Sequence, residues 1–299
     1  MRTRGRRQEP EEILVIKHGA FGDFIQALPA MSVIRAAHPG DRITLLTTRP
    51  YAALGGACGW FNRVEIDTRP EFWNLIGINK LRRQLAGYER VYDLQTSSRS
   101  SRYFRLAGRP LWSGIAPGCE LPHADPNRNA LHTRERLAGQ LHDAGIFDIP
   151  AADLSWATRA DISRFALPEA FTLLVPGASA HRPEKRWPGY AALAAALPEP
   201  CVIVGAAGEG AGIPGLDLSG QTSLLELGAI IARSKSAIGN DTGPMHLAAA
   251  LGIPSTVLFS AASDPALTSP RYPDGGWPVI LRSPDLAALP VAQVLAALP

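Results

Sequence analysis

The stretch at residues 238–254, IGNDTGPMHLAAALGIP, combines residue types and spacing that suit an anionic ligand. It joins the end of an apolar run to a small polar turn and then to a helix predicted to begin at Pro244. Free amides at a helix start and the helix dipole both attract anions, so this turn favours a diphosphate. A simpler interpretation, in which Asp241 and Thr242 only cap the helix, fits the same spacing equally well.

A second set of anion-binding side chains follows an apolar run, in the loop PGASAHRPEKRWP at residues 176–188. Ser179, Lys185 and Arg186 are among its hydroxyl and basic residues. Donors at this density are well matched to phosphate oxygens. The alternative is an ordinary solvated connection between two elements.

Asp23 follows the turn HGAFG and stands at the mouth of a helix predicted over residues 24–37. Ligands of open α/β sheets lie beyond the carboxyl ends of strands, where an exposed carboxylate can accept a proton from a substrate hydroxyl. The alternative is that Asp23 only caps the helix. The turn has neither the Lys-Ser/Thr pair of a P-loop nor the GxGxxG pattern, so it supports neither an NTPase nor a dinucleotide site.

Two further residues are weaker candidates. Glu209, in the turn GAAGEG, could accept ribose hydroxyls as acidic residues do in other nucleotide folds, although an ordinary turn is favoured. His246 lies two residues after Pro244, where it can point into a cleft or pack at the helix start. No second ligand stands at metal spacing beside it and the chain has no DxD pair, so the sequence predicts no bound metal.

Alternating strands and helices in both halves of the chain would position these residues. Short β-branched runs such as ILVIK at residues 13–17 are typical of strands buried on both faces of a sheet. The predicted strands are 13–17, 42–47, 64–66, 90–94, 171–175, 201–205, 236–238 and 255–259. The predicted helices are 24–37, 73–85, 98–107, 134–144, 188–197, 224–233, 244–251 and 291–298. Residues 109–129 are interpreted as a long loop and 149–168 as a linker.

This pattern predicts an α/β protein with two doubly wound, Rossmann-like domains that face each other across a cleft. At 299 residues the chain exceeds the usual size of one domain. We expect residues 1–160 to form the N-terminal domain and residues 161–299 the C-terminal domain.

Composition and charge exclude several classes of protein. The net charge of +3 and the lack of a zinc-finger, RNP or basic-helix pattern argue against nucleic-acid binding. Three cysteines without CxxC spacing indicate neither a disulfide framework nor a zinc site and fit a reducing cytoplasm. No stretch approaches the ~20 apolar residues of a membrane span, so any membrane contact should be peripheral.

Basic residues are unevenly spread. A basic arm opens the chain with Arg2, Arg4, Arg6 and Arg7. In the first half a further series includes Arg82, Arg83, Arg99 and Arg102, whose charge density suggests a surface for an anionic acceptor. A solvated face is the alternative for both groups.

Four ordered segments together resemble the glycosyltransferase family 9 proteins, whose best-known members are ADP-heptose:lipopolysaccharide heptosyltransferases. The segments are ILVIKHGAFGDFIQALPAMSVIRAAHP, YDLQTSSRS, LLVPGASAHRPEKRWP and SGQTSLLELGAIIARSKSAIGNDTGPMHLAAALGIPSTVLF. The resemblance implies a GT-B fold, with acceptor held mainly by the first domain, nucleotide sugar by the second, and a last helix that packs back toward the first. A short chain, a trimmed region at 215–219 and the loop at 109–129 depart from the family and leave the acceptor open.

The resemblance also implies roles for individual residues. Asp23 matches the aspartate taken as general base. Lys185 matches the lysine that contacts the donor phosphates, and Ser179 the hydroxyl residue before the lysine loop. The residues that match the family block holding the donor sugar and diphosphate are Asp241, Thr242, Gly243 and His246.

The expected reaction is an inverting, metal-independent transfer without a cofactor. Asp23 would take the proton from an acceptor hydroxyl, and Lys185 with Arg186 would stabilise the leaving diphosphate. Heptose is the family's usual sugar, so ADP-heptose is the expected donor and a lipopolysaccharide-core or related glycan the expected acceptor, reached in the cytoplasm or at the inner membrane. The rivals are a non-catalytic sugar-nucleotide-binding or assembly protein, and a nicotinamide-dependent oxidoreductase, which the missing GxGxxG disfavours.

Overall fold

The computed structural model describes residues 9–179 and 181–298, so the predicted basic arm lies outside the described residues. The described chain divides into two compact units. Unit 1 comprises the residues up to His18, Pro29–Pro126 and Leu137–Ile149. Unit 2 comprises Gly19–Leu28, Asn127–Arg136 and the residues from Pro150 onward. Relative to the division predicted after residue 160, unit 2 additionally includes Gly19–Leu28, Asn127–Arg136 and residues 150–160.

Among the residues that the structure describes, unit 1 contains six parallel strands in the order β3-β2-β1-β4-β5-β6. The strands are β1 (Glu12–Ile16), β2 (Arg42–Thr47), β3 (Arg63–Ile66), β4 (Arg90–Asp93), β5 (Leu111–Gly114) and β6 (Leu121–Pro122). The helices of the first half are α1 (Phe21–Gln26), α2 (Leu28–Ala37), α3 (Ala52–Ala57), α4 (Leu75–Gln84), α5 (Ser98–Leu106) and α6 (Thr133–Asp143). The order 3-2-1-4-5-6 is that of a doubly wound Rossmann-like domain, as predicted.

β1 lies at the centre of this sheet, and its residues Ile13–Ile16 are completely buried. It pairs with β2 on one side and β4 on the other. Strands covered on both faces have continuous apolar runs, which is why the sequence identified β1 correctly. Its residues Leu14 and Ile16 pack in one core with Tyr103 and Trp112.

One predicted helix is two helices in the structure. The sequence predicts a helix over residues 24–37, but α1 and α2 separate at Ala27. Pro29 is the second residue of α2, and proline has no N–H to donate to the carbonyl four residues earlier. The break between the two helices allows α1 to belong to unit 2, whereas the residues from Pro29 onward belong to unit 1.

The interpretation of residues 109–129 as a loop is wrong in part, because β5 and β6 extend the sheet there. These strands are only four and two residues long, too short for hydrophobic periodicity to indicate them. β5 nevertheless buries Trp112 completely.

Unit 2 repeats the architecture, with described strands in the order β12-β11-β10-β7-β8-β9, all parallel. The strands are β7 (Thr172–Val175), β8 (Cys201–Ile203), β9 (Leu216–Asp217), β10 (Ser236–Asn240), β11 (Ser255–Phe259) and β12 (Val279–Arg282). The helices are α7 (Tyr190–Ala196), α8 (Leu224–Arg233), α9 (Gly243–Ala250), α10 (Pro265–Thr268) and α11 (Val291–Ala296). The predicted α/β class with two Rossmann-like sheets is confirmed.

Residues 149–168 are predicted as a linker, but from Pro150 onward they belong to unit 2. They contain two short 3-10 helices, Ser155–Thr158 and Ser163–Phe165, and bury Trp156 and Phe165. Gly228 of α8 permits this packing, because a Cβ there would collide with the backbone carbonyl of Ala157. The segment is therefore part of a packed unit.

The last helix, α11, packs within unit 2, where Val294 joins the core that contains Tyr190 of α7. Its predicted return toward the first domain stays a prediction. Every helix of the described residues is too short or too polar to cross a bilayer.

Candidate functional site

The candidate site lies at the carboxyl ends of β7 and β10 in unit 2. These strands are neighbours, but β8 and β9 extend the sheet beyond β7 whereas β11 and β12 extend it beyond β10. Ligands of open α/β sheets bind at such a switch point. The two anion-binding stretches of the second half leave the sheet here, so the topology brings them together.

Asn240, the last residue of β10, fixes both ends of the loop that follows β7. Its Nδ2 donates to the carbonyl of Pro176 at 2.7 Å, and its Oδ1 accepts from the backbone N–H of Trp187 at 3.3 Å and from the Tyr190 hydroxyl at 3.1 Å. The side chain is completely buried, so water does not compete for these bonds. Asn240 thereby positions the loop residues that carry the donors.

Asp241 is the centre of a polar cluster. Its Oδ2 accepts from Lys185 Nζ at 2.6 Å and from Ser263 Oγ at 2.7 Å, while its Oδ1 lies 3.8 Å from His246 Nε2. Thr242 occupies the N-cap position of α9 without a side-chain capping bond. The simple capping interpretation is therefore wrong for both Asp241 and Thr242.

Two opposing effects set the pKa of Asp241. Burial raises it by removing water from the carboxylate, whereas His246 and Lys185 favour the charged form and lower it. The contacts with His246 and Lys185 prevail, and the pKa of Asp241 is about 2. At neutral pH this carboxylate is consequently an acceptor of hydrogen bonds and not a source of protons.

Close packing of α1 on α9 brings the first-half turn to this cluster. A Cβ on Gly22 would lie 2.6 Å from Cδ2 of His246, and a Cβ on Gly243 would collide with the Phe21 ring. Only glycine allows these two approaches between backbone and ring. Both glycines thus set the position of α1 within unit 2.

Asp23 is a cavity residue of α1 and not a helix cap, so its capping interpretation is wrong. The N-cap of α1 is Ala20, and Asp23 lies in the first turn. Within residues 9–179 and 181–298 its half-buried carboxylate has no hydrogen-bond or ion-pair partner, which leaves both oxygens available to a ligand. Its segment belongs to unit 2, although the sequence assigned it to the N-terminal domain.

A cavity of about 320 Å³ contains Asp23 together with six of the eight predicted donor residues. These six are Ser179, Lys185, Asp241, Thr242, Gly243 and His246. A second cavity of about 270 Å³ adjoins it, because Phe21, Ser179 and Thr242 line both. The second cavity is mainly apolar, with Leu224 and Leu227 in its wall, and contains Glu209.

The other two predicted donor residues, Arg186 and Glu209, bind each other. Arg186 Nη2 lies 3.4 Å from Glu209 Oε1, and Glu209 Oε2 accepts from the backbone N–H of Ala206 at 2.7 Å. The Glu209 carboxylate covers Gly177 and Gly205, where a Cβ would collide with it. Arg186 lines neither cavity, but it contacts two residues that line the second one, namely Glu209 and Ala178, whose carbonyl accepts from Arg186 Nη2 at 3.3 Å.

The four arginines predicted to face the acceptor lie on two helices of unit 1. Arg82 and Arg83 are on α4, and Arg99 and Arg102 are on α5. Arg82, Arg83 and Arg102 are exposed, whereas Arg99 donates to the carbonyl of Pro70 at 3.1 Å. None of the four arginines lines either of the two cavities described in unit 2.

Three polar residues of the first cavity were not identified from the sequence: Gln26, Ser263 and Thr268. Gln26 is buried and its Nε2 donates to the Thr268 carbonyl at 3.1 Å, so it ties α1 to α10. Ser263 and Thr268 lie in a segment of small polar residues after β11 that carries no motif. Only the tertiary structure reveals their place in the site.

A second polar cluster, also missed, lies beyond the carboxyl ends of the unit 1 strands. His18 Nε2 lies 3.0 Å from Asp67 Oδ2, which also accepts from the Tyr103 hydroxyl at 2.7 Å. Asp93 is completely buried nearby in the same switch region, and burial raises its pKa to about 6. His18 and Tyr103 both contact Asp67, which joins the loop after β1 to the loop after β3. Asp93 Oδ1 accepts from the backbone N–H groups of Gln95 and Thr96 and so holds the loop after β4.

One group in the described residues has the spacing of metal ligands, namely Glu11, His38 and Asp41 of unit 1. Asp41 accepts from the backbone N–H of Glu11 at 2.9 Å and lies 3.0 Å from His38 Nδ1. His38 Nε2 is bonded to the Tyr92 hydroxyl at 2.9 Å. Because protein partners occupy these atoms, we assign no metal site here, and the metal-free reaction stays a prediction.

Comparison with known proteins identifies relatives over most of the chain. A family described as "Glycosyltransferase family 9 (heptosyltransferase)" matches residues 78–274. A putative glycosyltransferase from Haemophilus influenzae is 28% identical over 112 residues, which span 35% of this chain and only 32% of that relative.

Solved structures share the fold at low sequence identity. A glycosyl transferase family 9 structure from Veillonella parvula has a TM-score of 0.78 at 20% identity, covering 96% of this chain and 95% of that one. The ADP-heptose LPS heptosyltransferase II of E. coli has a TM-score of 0.75 at 22% identity, covering 96% and 97%. A second E. coli heptosyltransferase, solved with ADP, has a TM-score of 0.70 at 20% identity, covering 95% and 98%.

Proposed function

The chain belongs to glycosyltransferase family 9, and we propose that it transfers a sugar, heptose in the first instance, from a nucleoside diphosphate to a glycan acceptor. The adjoining cavities of unit 2 carry this proposal. One holds Asp23, Lys185 and Asp241, and the other is mainly apolar and holds Glu209. A nucleotide sugar matches these two cavities. Its base and ribose suit the apolar cavity with Glu209, and its diphosphate and sugar suit the cavity with Asp23, Lys185 and Asp241.

In the proposed donor complex the nucleoside occupies the second cavity, with its base against Leu224 and Leu227 and its ribose hydroxyls donating to Glu209. The diphosphate lies at the shared wall, near the hydroxyls of Ser179 and Thr242 and the Lys185 ammonium, where the start of α9 also favours an anion. The ADP bound to one structural neighbour makes ADP-heptose the first donor to consider.

The sugar itself occupies the larger cavity in this proposal. Asp241 stays ionised because its pKa is about 2, so it can accept hydrogen bonds from sugar hydroxyls. The buried Nδ1 of His246 has no hydrogen-bond partner within the described residues and is available to the ligand. Gly243 keeps this wall free of a side chain.

The proposed reaction is a single displacement with inversion at the anomeric carbon. The acceptor oxygen forms the new bond to that carbon while Asp23 takes the hydroxyl proton and the bond to the diphosphate oxygen breaks. Lys185 and the start of α9 stabilise the charge that builds on the leaving diphosphate; loss of one such preorganised donor typically costs about 10²- to 10³-fold in rate. Arg186 acts by holding Glu209, and neither a cofactor nor a metal takes part in the proposed transfer.

The proposed acceptor is an anionic, lipid-linked glycan such as a lipopolysaccharide core, reached from the cytoplasmic face of the inner membrane. Arg82, Arg83, Arg99 and Arg102 of unit 1 are proposed to face it, because arginine is well suited to phosphate groups. Nucleic acid has no part in this function.

A thermal-shift screen across ADP-, GDP-, UDP- and dTDP-linked sugars tests the donor, because preferential binding raises the apparent stability. We expect the largest shift with an ADP-linked sugar, and slow release of ADP from ADP-heptose that ceases in Asp23→Asn. Binding without release or transfer would favour the non-catalytic sugar-nucleotide-binding protein. The absence of a shift with every nucleotide sugar would overturn the donor proposal.

A further inference from the structure

An apolar segment of unit 1 is exposed where α4 begins. Phe72, Trp73, Leu75 and Ile76 are 44%, 80%, 72% and 85% exposed. Single exposed apolar residues are ordinary on a folded protein, but four large ones within five positions mark a surface that contacts something other than water.

Basic residues adjoin this segment on both helices that flank it. They are Lys80, Arg82 and Arg83 on α4 and Arg99, Arg102 and Arg105 on α5. Neither helix contains an acidic residue, and Glu71 is the acidic residue of the turn before α4. The local charge is therefore strongly positive although the whole chain carries only +3.

Phe72 is in direct contact with two of the basic residues. The guanidinium carbons of Arg102 and Arg99 lie 4.7 Å and 5.3 Å from the centre of the Phe72 ring. On α4, Ile76 precedes Lys80 by four residues and Arg83 by seven, a spacing that puts all three on one face of the helix. We call Phe72–Ile76 with these six basic residues the apolar–basic surface.

We propose that the apolar–basic surface docks onto an anionic lipid bilayer. Trp73, Leu75 and Ile76 enter the boundary between headgroups and acyl chains, where tryptophan is favoured, and the arginines and Lys80 contact lipid phosphates. Apolar insertion and basic charge are the two signals that together hold a protein at a membrane. A second copy of the chain fits less well, because two strongly positive surfaces would repel each other.

Docking onto a bilayer rests on the proposed function, because a lipid-linked acceptor would require the protein to reach the membrane. Vesicle binding itself needs neither donor nor acceptor. Trp73 and Ile76 have no part in the proposed acceptor contacts, so loss of docking through these two residues would leave the transfer chemistry intact. A failure of transfer would leave docking intact, so the two proposals fail separately.

Cosedimentation of the full chain with vesicles tests the proposal. Vesicles of phosphatidylcholine with about 30% phosphatidylglycerol should bind the protein at least ~10-fold more strongly than pure phosphatidylcholine, and salt should weaken the binding. The double variant Trp73→Ser/Ile76→Ser should bind the anionic vesicles about 10-fold less. The matched control is Phe147→Ser, which removes another apolar side chain of unit 1 that is 72% exposed and should leave binding unchanged.

A charge-reversal variant, Arg82→Glu/Arg83→Glu, should weaken binding to anionic vesicles about 10-fold or more and should hardly affect binding to phosphatidylcholine. Circular dichroism would establish that each variant is folded. Equal vesicle binding by the wild type and the Trp73→Ser/Ile76→Ser variant would overturn the proposal. Self-association that the same variant abolishes, without vesicle binding by the wild type, would overturn it in favour of a second copy.

Discussion

Lys185 and Asp241 form a partly buried ion pair, with 2.6 Å between Nζ and Oδ2, that joins the loop after β7 to the end of β10. Ser263 donates to the same carboxylate oxygen, and His246 lies near the other. A phosphate that enters the cavity can therefore attract the Lys185 ammonium while Asp241 keeps two partners. The pair holds a positive charge in place for an anion before the anion arrives.

Lys185→Ala should weaken ADP binding about 10- to 100-fold, because a hydrogen bond to a charged group contributes roughly 1.5–3 kcal/mol. Calorimetry with ADP and with adenosine checks the reason, since adenosine lacks the phosphates and should bind both proteins equally. Lys235→Ala, which removes a surface ion pair with Glu199, should leave ADP affinity unchanged. Equal ADP affinity in Lys185→Ala would refute the phosphate contact.

Asp241 should make the free energy of unfolding depend on acidic pH. Its pKa of about 2 in the folded chain lies below the ordinary value of 3.8. A depressed folded pKa contributes stability that is complete above about pH 5 and is lost as the pH falls through 4 toward 2. The contribution is on the order of 2 kcal/mol.

Urea unfolding of the wild type and Asp241→Asn at several pH values measures this contribution. The difference in free energy between the two proteins should be largest at pH 6 and should shrink by about 2 kcal/mol near pH 2, where the wild-type carboxyl is about half protonated in the folded chain and almost fully protonated in the unfolded chain. A difference that stays constant over this range would contradict the assigned pKa.

The strands at the centre of both sheets could be predicted because their burial on two faces requires apolar runs. β11 and α8 agree with the sequence to the residue, the latter because Ser223 and Glu226 form a capping box. Edge strands β6 and β9 have two residues each and leave no periodic signal. Their strand pairing depends on the neighbouring strand and not on their own sequence.

The residues of the candidate site were largely identifiable because they cluster in short polar turns after strands. What the sequence could not give was the packing of α1 in unit 2, which depends on Gly22 and Gly243 meeting side chains far away in the chain. Ser263 was hidden for the same reason, since only its hydrogen bond to Asp241 distinguishes it from any other small polar residue.

Asp23→Asn should lower the rate of sugar transfer at least about 100-fold, because asparagine cannot accept the acceptor proton. Affinity for ADP should hardly change, since Asp23 is assigned to the acceptor hydroxyl and not to the diphosphate. A transfer assay and calorimetry on the same preparation separate the two effects. Asp148→Asn, an exposed carboxylate of unit 1, is the matched control and should keep full activity. Unchanged turnover in Asp23→Asn would eliminate the general-base role.

Gly22→Ala tests whether the packing of α1 on α9 positions Asp23. The new Cβ would lie 2.6 Å from the buried His246 ring, and overpacking of this kind costs about 1–3 kcal/mol. Gly56→Ala, also within a helix, meets nothing within 4 Å and should keep or raise stability by up to about 1 kcal/mol. Because Gly22→Ala shifts the helix that carries Asp23, transfer should fall more than ADP affinity does. If Gly22→Ala and Gly56→Ala have the same free energy of unfolding and the same transfer rate, the glycine contact does not set the position of Asp23.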